Sequence, residues 1–166
     1  MPADEKIYKT HYQSPIGLIE VTGSEKGIAS LYFIEQGVEE NEIPLCLKEG
    51  IKQLDEYFKG KRKEFSLKLN IQGTDFQKVV WQELQKIPFG KTVSYLDIAA
   101  AVGDKNLTRA VGNANGNNKI SILIPCHRVI GNNGKLTGYA GGLDRKQWLI
   151  NFENNGIQKS LFNDGF

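Results

Sequence analysis

An α+β fold in two parts is predicted for this 166-residue chain: a small N-terminal antiparallel β-meander plus helix, then a mainly helical, winged helix-turn-helix-like C-terminal part. Three observations predict it. The first third alternates apolar and polar residues with the period of two that strands require. Later segments space apolar residues three and four apart, as helices do. Capping residues and glycines bracket those later segments.

The elements follow in order. "IYKTHYQS", the turn "SPIG", "LIEVTG", the turn "SEKG" and "IASLYFIE" read as a three-stranded meander. "PLCLKEGIKQLDEYFKG" places Leu47, Ile51, Leu54 and Phe58 at helical spacing, with Gly60 as its stop. "EFSLKLNI" reads as a further strand, and a boundary is expected near Gly73. Thr74 and Gln77 form a capping-box pattern before a helix whose apolar face is Phe76, Val79, Val80, Leu84 and Ile87. Ser94 can cap a second helix carrying Leu96, Ile98, Ala99 and Val102, and Gly103 supplies a tight turn. A third helix runs from about Leu107 to Asn115, with Leu107, Val111 and Ala114 inward and Thr108, Arg109, Gly112 and Asn113 outward. That outer face is small apart from Arg109. "KISILI" reads as a buried strand leading to Cys126.

Apolar residues make up 40% of the chain, enough for a real core, and no run approaches transmembrane length. The charged N-terminus "MPADEKIYKT" has no apolar core of a leader peptide. Cys46 and Cys126 form no CxxC pair or disulfide framework, so a reducing, cytoplasmic setting is expected. With His11 and His127 they are the only soft ligands and lack ligand spacing, so no metal is expected. Cys46 is expected to pack in the core. Charge is uneven: residues 1–84 carry a net −3 and residues 85–166 a net +5, and a basic half suits a phosphate backbone.

"PCHR" sets Cys126 beside His127. A thiol with a pKa of about 8.5 is only a few per cent ionised at neutral pH, so a nucleophilic cysteine needs a base, and that base a carboxylate. Side chains adjacent in an extended chain point to opposite faces, so the pair can cooperate only if the backbone turns or a water bridges them. Pro125 favours such a departure. The plain alternative is an inert buried cysteine.

"PCHRV" followed by "GYAGGLDRKQWLI", together with "FGKTVSYLDIAAAVG" and "TRAVGNANGNN" upstream, resembles the O6-alkylguanine–DNA alkyltransferases, over residues 74 to about 153. The resemblance implies a ribonuclease-H-like domain over 1–73 and a DNA-binding, catalytic domain over 74–166. It implies that Cys126 accepts the alkyl group, that His127 is its base through a bridging water, and that Glu153 orients that histidine. Asn118 would brace the helix-turn-helix against the active segment. Tyr95 would help rotate the nucleotide and give a proton or hydrogen bond to guanine. Tyr139 would flank the alkyl pocket, with the backbones of Cys126, Val129 and Ala140 lining the base site. Arg109 would replace the extruded nucleotide, and Thr108, Ala110, Gly112 and Asn113 would approach the DNA. Lys119 stands where the family often has proline, and Ala140 where some members have serine.

The implied partner is duplex DNA bearing O6-alkylguanine, with O4-alkylthymine left open as a second lesion. No cofactor is implied, since the DNA is itself the alkyl donor, and no membrane; the chain is expected to be monomeric. The thioether product offers neither an acyl carbon nor a disulfide for reversal, so each molecule would act once. The rival readings are a non-catalytic winged-helix DNA binder that senses alkylated bases, and a Cys–His hydrolase, which needs neither Arg109 nor a basic half.

Overall fold

The structure is a computed structural model that describes residues 5–37 and 42–165, with side chains up to residue 156. The first four residues of the charged N-terminus lie outside the described residues. The chain divides into two compact units, Met1–Gln72 and Gly73–Phe166.

In the first unit β1 (Tyr8–Ser14), β2 (Gly17–Ser24) and β3 (Gly27–Ile34) form an antiparallel sheet in that order. The register pairs Tyr12 with Ile19 and Val21 with Leu31. Alternation then sends Thr10, Ile19, Val21 and Leu31 to one buried face. A 3₁₀ turn at Leu45–Leu47 leads into α1 (Lys48–Phe58), which buries Leu54, Tyr57 and Phe58. Each such large apolar side chain contributes about 1.5–3 kcal/mol when fully buried.

Two expectations are corrected here. "EFSLKLNI" is not a full strand. It makes one parallel bridge, Leu69 to Ile28, through Ile28 N–H to Lys68 O (2.9 Å) and Asn70 N–H to Ile28 O (2.8 Å). Cys46 is half-buried rather than in the core, on the wall of a hollow of about 360 Å³ with Ile28, Gly50 and Leu67.

The second unit holds α2 (Asp75–Leu84), β4 (Val93–Ser94), α3 (Tyr95–Val102), α4 (Thr108–Gly116), β5 (Val129–Ile130) and α5 (Leu143–Gly165). The Thr74/Gln77 capping box opens α2 as its sequence predicts, and a second box, Ser94 with Asp97, opens α3. The buried face of α2 is Val80, Trp81 and Leu84, while Val79 is exposed. Trp81 Nε1 donates to Ala114 O at 2.8 Å, which ties α2 to α4 across the helix-turn-helix. Gly103, at φ 119°, closes α3 in a conformation that side chains resist. β4 and β5 pair in parallel, Val93 with Val129, and this sets the start of α3 beside the segment that follows Cys126. Among the described residues, no helix is long and apolar enough to cross a membrane.

Candidate active site

The segment before Cys126 is not the strand its apolar run suggests. Leu123 N–H donates to Ser121 O (2.8 Å) around Ile122 at φ 71°, and Cys126 N–H donates to Ile124 O (2.8 Å) around Pro125 at φ −80°, ψ 64°. These are two γ-turns, the first in a conformation that costs a β-branched residue about 1–3 kcal/mol. Asn118 holds the path. Its side chain accepts from Ile120 N–H (3.0 Å) and donates to Ile124 O (2.8 Å), taking hydrogen bonds that a sheet partner would otherwise supply. Ile120, Ile122 and Ile124 are buried around it. The chain then enters a 3₁₀ turn at Cys126–Arg128, which supplies the bend that a cooperating Cys–His pair requires.

His127 is fully buried. Its Nε2 lies 2.7 Å from Glu153 Oε2, and its Nδ1 has no hydrogen-bond partner among the described residues. Glu153 sits on α5, where Lys146, Leu149 and Glu153, spaced three and four residues apart, form one buried stripe. Burial would raise the Glu153 pKa, but His127 and Arg128 more than offset it and hold the carboxyl well below the usual range. Burial lowers the His127 pKa against the pull of Glu153, so the imidazole is neutral. Burial pushes the Cys126 thiol up, while Asn118 and Lys146 pull it down. The resting sulfur is therefore a thiol, 3% exposed, set beside groups that favour its ionisation.

Asn115 on α4 donates to Cys126 O at 3.4 Å. Tyr139 folds inward from an otherwise exposed loop; its hydroxyl is buried and unpartnered among the described residues. Val129 is buried beside the turn, and Ala140 is exposed on the loop. Tyr95, the first residue of α3, donates to Thr137 O at 3.1 Å; Lys146 Nζ donates to the same carbonyl at 2.8 Å and to the Tyr95 hydroxyl at 3.4 Å. On α4, Arg109 and Asn113 are exposed and Thr108, Ala110 and Gly112 half-buried. A Cβ on Gly112 would meet the Tyr95 ring at 4.0 Å, so that ring lies against α4.

Cys126, His127, Glu153, Asn118 and Tyr139 are thus buried together, Tyr95 reaches the same loop as Tyr139, and Arg109 and Asn113 mark the exposed face of α4, with Thr108, Ala110 and Gly112 half-buried and Gly112 against the Tyr95 ring. Arg128, Lys146 and Asn115 belong to this neighbourhood and were missed. The only sequence signal for them is position: Arg128 follows His127, Lys146 lies seven residues before Glu153, and Asn115 lies four after Val111 on the inward face of α4.

A helix-turn-helix joined to a buried cysteine, histidine and carboxylate defines the class: a DNA-binding fold with thiol chemistry built behind it. Residues 75–155 match the model of the 6-O-methylguanine DNA methyltransferase DNA-binding domain, and residues 7–71 that of its ribonuclease-like domain. The chain is 47% identical to a methylated-DNA–protein-cysteine methyltransferase of Methanosarcina barkeri, over 92% of this chain and 100% of that one. It is similar to the crystal structure of Mycobacterium tuberculosis O6-methylguanine methyltransferase, with TM-score 0.82 and 41% identity over 90% of this chain and 94% of that one. It is also similar to a structure of the M. tuberculosis protein in complex with DNA, with TM-score 0.81 and 42% identity over 88% of this chain and 92% of that one. The chain belongs to the 6-O-methylguanine DNA methyltransferase family.

Proposed function

We propose that this protein repairs DNA by direct reversal, moving an alkyl group from O6 of guanine to Sγ of Cys126 in a single, irreversible turnover. The observation that carries this reading is the buried His127–Glu153 pair, whose open Nδ1 stands on the residue next to the thiol. A base with one nitrogen tied to a carboxylate and the other unpartnered is set to take a proton, directly or through a bridging water.

The target base must leave the stack to reach a buried thiol, at a cost of a few kcal/mol. Arg109, exposed on α4, fills the gap with a planar guanidinium, and Thr108, Ala110, Gly112 and Asn113 let the helix approach the backbone. The thiolate attacks the alkyl carbon as the bond to O6 breaks, and the electron pair passes into the guanine. Tyr95 exchanges its bond to Thr137 O for one to the base and neutralises the leaving guanine. Tyr139 flanks the alkyl group, and the backbones of Cys126, Val129 and Ala140 meet the base edge. Asn118 keeps Cys126 on its turn. A reducing cytoplasmic setting suits a thiol kept free for this chemistry.

Intact mass spectrometry tests the reading. Incubation with duplex DNA containing O6-methylguanine adds one methylene to the protein, on the Cys126 peptide, and Cys126→Ala abolishes the gain while DNA binding survives. A wild-type protein that binds the duplex and gains no mass supports the rival damage-sensing reading instead.

A further inference from the structure

Glu153 answers to more than His127. Arg128 Nε donates to Oε1 at 2.8 Å and Nη2 to Oε2 at 3.0 Å, a fork-to-fork pair, and Gly90 N–H donates to Oε1 at 3.3 Å. The remaining nitrogen, Nη1, donates to Ile87 O at 2.7 Å, and the guanidinium carbon stands 5.9 Å from the Phe89 ring centroid. Arg128 is buried, so little solvent screens these charges.

Two consequences follow from the charges. A carboxylate gripped at both oxygens by a permanent cation stays ionised, and an ionised carboxylate only accepts hydrogen bonds. His127 must therefore carry its hydrogen on Nε2, which leaves Nδ1 as the acceptor. In addition, a carboxylate already neutralised by Arg128 attracts a second proton on His127 less strongly than a lone carboxylate would. The groups around the ring are Glu153 and Lys146 from α5, and Arg128 and Cys126 from its own turn, with Tyr139 of the following loop beside Cys126. Arg128 and Lys146 both oppose protonation of the ring, and Glu153 favours it.

We propose that Arg128 is a positioning residue for the transfer: by occupying both oxygens of Glu153 it fixes His127 as the Nε2–H tautomer and limits its basicity, so the ring is neutral when the thiol must be deprotonated. This rests on the reading of Cys126 as alkyl acceptor. In the step it serves, the thiol proton passes to Nδ1, the sulfur–carbon bond forms, and the carbon–O6 bond breaks with its electron pair left on guanine. The hydrogen bonds of Arg128 go to Glu153 and Ile87 O, so it acts on the sulfur through His127.

The test compares wild type, Arg128→Met and Arg128→Lys in two measurements. The first is the ¹⁵N-histidine NMR titration of His127, with His11→Gln used to separate the two histidines. The second is the pH dependence of single-turnover methyl transfer from O6-methylguanine duplex. Loss of the cation in Arg128→Met is expected to move the His127 midpoint, and with it the acid limb of the rate, upward by about 1–3 pH units. Arg128→Lys, which keeps the charge and loses the fork, is expected to hold the midpoint near wild type while transferring more slowly. If Arg128→Met does not fold, Arg128→Gln, which keeps a donor without the charge, takes its place with the same expectation. A rate that falls equally at every pH with an unmoved histidine midpoint overturns the proposal and leaves Arg128 a structural strut. A wild-type protein that transfers no methyl group overturns the reading of Cys126, and the role of Arg128 with it.

Discussion

The imidazole of His127 spends one nitrogen on Glu153, at 2.7 Å, and keeps the other buried without a partner among the described residues. An orphaned buried acceptor is costly, about 1–3 kcal/mol, and persists where something else is meant to fill it. Glu153 on α5 and His127 on a 3₁₀ turn are 26 residues apart, so the pair exists only once α5 has packed against the rest of the second unit. On the proposed reading, folding and activation of the thiol share this one contact.

Replacing that carboxylate separates the two. Glu153→Gln removes the charge that orients His127 and leaves Arg128 buried with no counter-charge. The methyl-transfer rate is expected to fall about 10²–10⁴-fold, the range for losing an oriented general base. Stability is expected to drop by about 3–5 kcal/mol, the range for breaking a buried ion pair from one side. Quench-flow transfer and urea unfolding read the two losses. Full activity in the variant would show that His127 needs no carboxylate.

The same site makes the fold sensitive to acid. Glu153 is held well below the ordinary carboxylate range, and an unfolded glutamate titrates near about 4.3. A group lowered in this way stabilises fully above its unfolded value, and that stability is lost as pH falls through the folded one. His127 is also lowered by burial, so the unfolded state takes up its proton first, below about pH 6.5. The unfolding midpoint in urea is expected to hold from about pH 8 to 7, to decline below about 6.5, and to steepen below about 4.5. In Glu153→Gln the second decline is expected to shrink. A midpoint unchanged down to that lower range would contradict the buried pair.

What the sequence made legible is local. The Thr74/Gln77 box, the Ser94 cap, the Gly103 turn and the alternation of β1 to β3 each depend on neighbours within a few residues, and each is present. Cys126, His127, Glu153, Asn118 and Tyr139, whose roles come from the family resemblance, fall in one buried cluster. "KISILI" misled because its period fits a strand, whereas Asn118, brought in from the end of α4, satisfies its backbone and lets it curl through two γ-turns. Arg128 and Lys146 were missed because charged residues are almost never buried unless paired, and the pairing lies on other elements. Cys46 shows the reverse: an apolar setting in sequence did not bring full burial.

Gly103 gives a prediction free of steric ambiguity. Its φ is 119°, yet nothing lies within 4 Å of a Cβ built there. Gly103→Ala is therefore expected to cost conformational energy alone, about 1–3 kcal/mol. It is expected to lower the urea midpoint and to weaken duplex binding while leaving the thiol chemistry on a free alkylated base intact. An unchanged midpoint would mean that the turn relaxes to a negative φ.

Lys146 is buried, and burial brings its pKa down from the ordinary lysine value to about 8 against the opposing pull of Cys126. Because the unfolded lysine binds its proton more tightly, near about 10.4, its burial opposes folding at neutral pH, and this opposition fades as pH rises from about 8 to 10.4. Lys146→Met keeps much of the volume and removes the charge, so it is expected to raise the urea midpoint at neutral pH and to flatten the alkaline rise. The same change removes a cation that lowers the Cys126 pKa, so the thiol is expected to ionise at higher pH and methyl transfer to slow at pH 7. Stability and rate moving in opposite directions is the signature; a loss of both would assign Lys146 to packing through its bond to Thr137 O.

The outer face of α4 carries the last prediction. Arg109 and Asn113 are exposed there, and Gly112 lies where the Tyr95 ring approaches, so one helix connects this outer face to the loop that carries Thr137 and Tyr139. If Arg109 occupies the space of an extruded nucleotide, its value is confined to duplex substrates, because a free base has no stack to leave. Arg109→Ala is expected to slow transfer from duplex O6-methylguanine by about 10-fold or more, since stacking replacement is worth about 1–3 kcal/mol, while transfer from a free O6-alkylguanine base stays near wild type. A single phosphate contact would instead lower duplex affinity uniformly and reduce its salt dependence by about one unit of slope. Measuring both substrates at two salt concentrations separates these outcomes. Equal slowing on duplex and free base would place Arg109 in the folding of α4 and remove it from nucleotide extrusion.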